Sequence, residues 1–444
     1  MTITSTLAKA PGALPLIGHT GQMLRNPLGF MGSLPAHGDI VEIRIGAKPV
    51  YVVCHPDLVR EMLIHDEVFD KGGAVFELSR QILGNGLGTC PHRDHRRQRR
   101  LMQPAFQRGR LPGYTVAMAE QVAGITGRWR DGVVIDVGQV MHAITARAIV
   151  STIFGPGLPD PVITKFLSGV DTINRLAFLS VTLPSWTMDL LNRRAAKTRA
   201  ALDAVIGQLV ERRRTTDPDR EDLLSTLLSA RDENDGSLSD IEIGDQIITM
   251  IVAGTDTAAA VLSWAWHLLG AHPDIEARLH AEVDAVLAGA ATAGWDDLPR
   301  LDLTRRVVLE TLRLYPPGWI STRTATSRTQ LATMRIPSGT TLAYSPYELS
   351  RRSDLYPEPQ RFDPDRWPRT STIHQLPHMP FGWGARRCIG DAFATIEATI
   401  VLASIAAHWR LLPLCDTVRR APLFILHPHH LRMRIHQRIP QPFT

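Results

Sequence analysis

A chain of 444 residues, 44% hydrophobic and 21% charged, is long enough to bury a sizeable core and a cofactor and has the balance of a folded globular protein. Its formal net charge of +5 is carried almost entirely by arginine, because lysine occurs only at Lys9, Lys48, Lys71, Lys165 and Lys197. With no basic tail and no basic stripe interleaved with aromatics, this charge argues against nucleic acid and would suit an acidic protein partner. The four cysteines, Cys54, Cys90, Cys388 and Cys415, show no metal-ligand spacing, and a chain of this length needs no disulfides, so a reducing cytoplasm is the simplest compartment.

Met1 to Lys9 is short and polar, without an apolar targeting core. The longest apolar stretch, residues 247–269, contains Asp256 and His267, which predicts a buried core helix and no membrane anchor. No repeats or low-complexity segments divide the chain. The entry segment Pro11-Gly-Ala-Leu-Pro-Leu-Ile-Gly18 is expected to be extended. Residues 41–45 and 50–53 are β-rich runs around Gly46-Ala-Lys-Pro49 and predict a hairpin, with a helix from His55 through Leu63. Residues 71–91 are glycine-rich and carry Phe76, Leu83 and Leu87, the composition of a mobile loop with an apolar inner face. In the helical run that follows, His95 and Arg99 lie four apart on one face and fit a pair of carboxylates, while Arg96, Arg97 and Arg100 point elsewhere as a basic docking surface.

Helices are predicted over residues 114–154 and 161–214, broken at Gly155-Pro156 and Pro184, with a strongly apolar section around Leu176 and Phe178. Residues 215–239 are polar and read as a surface connection with one short helix. A long helix follows over residues 240–270, with Ala253-Gly254-Thr255-Asp256-Thr257 at its centre. A carboxylate inside an apolar helix is costly unless it is used. Gly254 weakens the helix locally, and the Thr257 hydroxyl can bond the Ala253 carbonyl four residues back, so a polar notch is expected here. Glu310 and Arg313, three apart, can pair on one helix face before Pro316-Pro317 sends Gly318-Trp319-Ile320-Ser321 toward a strand. His427-Pro-His-His430 lacks an acidic or cysteine partner at ligand spacing and reads as strand-end histidines.

The stretch Phe381-Gly-Trp-Gly-Ala-Arg-Arg-Cys388-Ile-Gly390 presents one cysteine at the head of an apolar helix over residues 391–409. Arg386, Arg387 and the helix N-terminus favour a thiolate, Gly384 and Gly390 allow turns that a Cβ would block, and Phe381 can cover the sulfur. The spacing Phe-x-x-Gly-x-Arg-x-Cys-x-Gly resembles the haem-binding loop of the cytochrome P-450 family, and motifs in the family's order run from residue 95 to 390.

The resemblance implies a mainly α fold with a small β-rich region, one domain over residues 1–444 around a buried haem b. Cys388 would be the axial iron ligand, with Phe381 beside it and His95, Arg99, Arg323 and Arg386 on the haem propionates. Asp256 would relay protons, and Thr257 would hold dioxygen or its water. Glu310 and Arg313 would form a structural triad with Arg366 of Pro364-Asp365-Arg366-Trp367. The implied pocket residues, Phe76, Leu83, Leu87, Leu176, Phe178, Met250, Ala253, Trp319 and Ile320, are nearly all apolar and favour a hydrophobic substrate. The implied activity is a monooxygenase fed with NAD(P)H electrons through a ferredoxin reductase and a ferredoxin. Residues 84–106 and Tyr315-Pro-Pro-Gly-Trp319 are also similar to bacterial sesquiterpene oxidases, which implies terpene oxidation in secondary metabolism, including antibiotic biosynthesis. Hydroxylation of a macrolide, fatty acid or steroid, a peroxide-using haem–thiolate enzyme and a non-catalytic haem protein are the alternatives.

Overall fold

The computed structural model describes residues 7–155, 158–159, 161–169, 172, 188–216, 222–233, 235–369, 376–415, 417–422 and 424–439. Its β-rich side is a six-stranded mixed sheet made of β1 (Ala8–Lys9), β2 (Ile40–Ile45), β3 (Lys48–Val53), β4 (Phe69–Asp70), β5 (Ser321–Ala325) and β6 (Thr341–Tyr344), in the order β1-β2-β3-β6-β5-β4. The expected hairpin forms with Ile43 opposite Val50, but Lys48 and Pro49 belong to the ladder rather than to the turn. Ile45 pairs with Lys48, which leaves a two-residue turn whose Gly46 has φ +60°. The late strand β6 pairs parallel with β3, bringing residues 341–343 beside residues 50–52.

Two expectations fail for local reasons. Residues 71–91 are not one loop, because they contain the helix α1 (Ala74–Leu83). Gly73 (φ +87°) and Gly84 (φ +82°) sit at its two ends, so these glycines punctuate a helix instead of dissolving one. The predicted continuous helix over 114–154 is two helices, Leu111–Thr126 and α3 (Val137–Phe154), with α2 (His92–Met102) preceding both. Between the two, Gly132 turns at φ +79° and Val134–Asp136 pairs with Arg432–Gln437. The Asp136 side chain then accepts from the Gln139 amide and caps α3, a stop-and-start signal that apolar periodicity alone conceals.

The remaining framework is α4 (Met188–Thr216), α5 (Asp240–Ala271), α6 (Asp302–Leu314) and α7 (Asp391–His408). A capping box starts α5, with Ser239 accepting from the Glu242 amide and Glu242 accepting from the Ser239 amide. This helix is largely apolar because it is the central strut, packed against α3, α6 and α7. Trp264 and Trp266 are both buried in it, each contributing about 2–3 kcal/mol of burial. Trp264 stacks on Tyr315 at 3.9 Å and donates to the Leu426 carbonyl at 2.9 Å. By length and composition α3, α5 and α7 could each cross a membrane, yet 61–72% of each apolar window is buried inside the protein. Their apolar faces are spent on the core.

Candidate active site

The cysteine loop is shaped by two tight turns before α7. Gly382 (φ +73°) and Gly384 (φ +68°) adopt the left-handed region, and a Cβ on Gly384 would lie 2.3 Å from the Leu63 carbonyl oxygen. Gly390 does not need its freedom: its φ is −96° and an added Cβ would meet only Phe106 at 3.6 Å. The Cys388 amide donates to the Phe381 carbonyl at 2.8 Å, which ties the sulfur-bearing residue to the head of the loop. Protein atoms surround the Cys388 thiol, although the residue keeps accessible surface. Burial pushes this thiol up, while the Gly390 N–H, Arg99 and Lys71 favour the anion and Asp391 opposes it. The cations expected to favour the thiolate are elsewhere. Arg386 bonds Asp66 at 3.1 Å and Asp70 at 2.6 Å, and Arg387 pairs with Asp391.

Basic side chains gather near the sulfur, Arg99 and Lys71 acting on it directly. His95 and Arg323 are each 4% exposed. Arg99 donates to the Arg387 carbonyl, Arg323 to the Thr322 carbonyl at 2.8 Å, and Lys71 to the Gly88 carbonyl at 2.7 Å. Burial, then Arg323 and Arg386, push the Lys71 amine down to about 7. Burial, then Arg386, Lys71 and Arg99, push His95 down to about 3. Burial also lowers Arg323, whose Nε is a buried donor with no partner. Among the described residues, Lys71, Arg99 and Arg323 form no ion pair, while Asp66 and Asp70 are both held by Arg386. Such a cluster is stable only with added negative charge, and two carboxylates would supply it. No group of three or more ligating side chains stands among the described residues, so a metal on Cys388 would bring its other donors with it. A metal macrocycle with two carboxylates, as in haem, fits both requirements. Lys71 was missed in the sequence because a lone lysine after a short strand carries no periodic signal.

On α5, Thr257 donates to the Ala253 carbonyl at 2.6 Å, the back-bond its spacing predicted. The helix runs unbroken through Gly254, whose missing side chain makes room for Ile149 of α3, 3.3 Å from where a Cβ would be. Asp256 is met by His142 of α3, Nε2 to Oδ1 at 3.2 Å. One turn on, Thr145 donates to the Thr255 carbonyl at 3.1 Å. His427, on the short strand Leu426–Pro428, feels both groups: burial lowers it, Asp256 raises it and His142 lowers it. His142 was not singled out from the sequence, although a histidine three residues before a threonine on an apolar helix marks one polar face.

Glu310, Arg313 and Arg366 meet in the core below the loop. The Glu310 carboxylate accepts from Arg313 at 2.8 and 2.9 Å, Arg366 at 3.0 Å, the Trp367 indole at 3.0 Å and the Asp363 amide at 3.0 Å. Of the expected pocket residues, Leu87 and Met250 are buried in the main helical core, with Leu83 packed against it. Ala253 is accessible on α5, and Phe76 lies under the Lys71 ammonium at 5.7 Å. Trp319, with Ile320 against it, packs in a different cluster beneath the sheet with Met31 and Tyr347. Leu176 and Phe178 lie outside the described residues. Of the expected docking arginines, Arg97 is held by Asp232 at 2.8 Å and Glu242 at 2.6 Å, and Arg100 by Glu233, while Arg96 is exposed.

Comparison with known proteins agrees with this geometry. The cytochrome P450 family profile matches residues 9–431. Pentalenene oxygenase of Streptomyces avermitilis is 45% identical over 444 residues, covering 98% of this chain and 99% of that one. Cyclooctatin synthase of Streptomyces melanosporofaciens is 43% identical over 98% of this chain and 95% of its own, and cyclooctat-9-en-7-ol 5-monooxygenase of the same organism is 41% identical over 93% and 91%. Among solved structures, the cytochrome P450DA heme domain superimposes with a TM-score of 0.89 at 25% identity, covering 99% of both chains. The chain belongs to the cytochrome P450 family and is a haem-dependent monooxygenase.

Proposed function

We propose that this monooxygenase oxidises a terpene hydrocarbon of the sesquiterpene class in secondary metabolism, in one or more successive steps. The observation that carries this reading is the 45% identity to pentalenene oxygenase, sustained over 98% of the chain. The apolar Leu83, Leu87 and Met250 support a substrate with little to hydrogen-bond.

When bound, the haem supplies dioxygen activation and oxygen insertion. Cys388 would ligate its iron, and Lys71, Arg99, Arg323 and His95 would hold its carboxylates. His95, pushed down to about 3, would do so as a neutral hydrogen-bonding group. Arg386 is already engaged with Asp66 and Asp70 and would act by fixing that wall of the site. Thr257 directs its proton to the Ala253 carbonyl, which leaves its oxygen free to accept from water or protonated groups beside it. Asp256, partly exposed beside it, would carry protons inward. Electrons would come from NAD(P)H through a ferredoxin reductase and a ferredoxin in the cytoplasm, with the exposed Arg96 offering positive charge to an acidic partner. The product class fits antibiotic-type secondary metabolism.

The test is a binding titration of the haem-loaded protein with sesquiterpene hydrocarbons, read by the spectral change as water leaves the iron. The reading predicts a saturable change. No response to any of them, together with one to fatty acids, macrolides or steroids, would overturn it.

A further inference from the structure

We propose that His142 is the positioning residue for Asp256: its imidazole holds that carboxylate on the α3 side of α5 and passes it the protons that dioxygen reduction consumes. This rests on the reading of Asp256 as the inward proton donor.

Three observations carry the proposal. His142 Nε2 lies 3.2 Å from Asp256 Oδ1, and the two side chains are 31% and 25% exposed, so the pair reaches both water and the interior. Its register is fixed by the helix bearing it. His142, Thr145 and Ile149 lie at i, i+3 and i+7 on one face of α3, and that face meets the turn of α5 containing Gly254 to Asp256. Thr145 donates to the Thr255 carbonyl at 3.1 Å and Ile149 fills the space above Gly254, so the backbone bearing the imidazole is held in register with Asp256. His427, on the strand Leu426–Pro428, also faces this pair: burial lowers it, Asp256 raises it and His142 lowers it.

The reaction balances as R–H, O2, two electrons and two protons giving R–OH and water, with the electrons drawn from NAD(P)H through partner proteins. In each proton transfer the Nε2–H proton of the imidazolium goes to Asp256 Oδ1, and the imidazole takes up a proton from solvent, two such protons completing the balance. The protonated Asp256 then gives its proton up on the inner side of α5.

The experiment compares the haem-loaded wild type with His142→Ala, His142→Gln and Asp256→Asn, measuring product formed per NAD(P)H oxidised and the solvent deuterium isotope effect. Gln can still donate a hydrogen bond to Asp256 but cannot relay a proton. Both His142 variants should lose about ten-fold or more in product per NAD(P)H, with a raised isotope effect and unchanged substrate affinity. A His142→Gln enzyme coupled like the wild type overturns the proposal. An Asp256→Asn enzyme that stays fully coupled overturns the reading beneath it. Should the His142 variants fail to load haem, the ring titration of His142 is followed by NMR in the ferrous carbon-monoxide form of the wild type and Asp256→Asn. Removing the carboxylate should lower the His142 pKa by about one unit, and an unchanged pKa overturns the proposal.

Discussion

Replacing Glu310 by Gln changes one atom and should destabilise the protein severely. The carboxylate is fully buried and accepts five donated hydrogen bonds: two from Arg313 and one each from Arg366, the Trp367 indole and the Asp363 amide. An amide keeps one oxygen and turns two N–H groups toward donors. If its nitrogen takes the Oε2 side, Arg313 Nε and Trp367 Nε1 lose their acceptor, at about 1–3 kcal/mol each. The Arg313 charge remains buried, its Nη2 still bonded to the remaining Oε1 and otherwise held by the carbonyls of Ser350, Pro359 and Arg361. Breaking a buried pair from one side costs about 3–5 kcal/mol, and the two accounts overlap, so roughly 3–5 kcal/mol is expected in all. That is a large share of the roughly 5–15 kcal/mol that holds a domain together. Urea unfolding of the haem-loaded protein, followed by circular dichroism, should show a clearly lowered midpoint. The exposed pair Glu358–Arg361 is the control, and Glu358→Gln should leave the midpoint in place. A Glu310→Gln protein as stable as the wild type would refute the reasoning.

Three further outcomes are expected. Gly384→Ala should cost far more haem content and thermal stability than Gly382→Ala: both adopt positive φ, worth about 1–2 kcal/mol, but only at Gly384 does the new Cβ strike backbone, the Leu63 carbonyl at 2.3 Å; equal losses would contradict this. Because burial beside Arg323 and Arg386 lowers Lys71 from 10.5 to about 7, a carboxylate held by it must recover its proton above pH 7. Haem loss to a scavenger protein should therefore speed up as pH rises above 7, by at most about ten-fold per pH unit, and Lys71→Met should flatten that slope. A Lys71→Met enzyme with the wild-type slope counts against Lys71 as a carboxylate holder. Finally, Asp245 of α5 joins two covering segments, accepting from the Asn85 amide at 2.7 Å and from Arg199 of α4. Asp245→Ala should speed substrate dissociation severalfold in stopped-flow spectroscopy, and an unchanged rate would show that the join does not restrain entry.

The sequence made legible those features that local chemistry dictates. The Thr257 back-bond follows from a spacing of four on a helix, and the meeting of Glu310 with Arg313 from a spacing of three. The cysteine at the head of α7 and the hairpin of β2 and β3 were equally local. What remained hidden depends on partners distant in the chain. Arg386 reads as a free cation until Asp66 and Asp70, more than 300 residues away, are seen to hold it. Lys71 becomes notable only once Arg323 and Arg386 are folded around it. Gly254 reads as a weak point, yet it is a packing contact, because Ile149 belongs to another helix. The glycines of residues 71–91 were read by composition as a loop, when their positions at the two ends of α1 mattered more.

The measurement that bears most directly on the whole account is the carbon-monoxide difference spectrum of the reduced protein, taken for the wild type and for Cys388→Ala. The account predicts the red-shifted band of a thiolate-ligated ferrous haem in the wild type and its loss in the variant. A thiolate-type band that survives the removal of Cys388 would contradict the assignment on which the site is built.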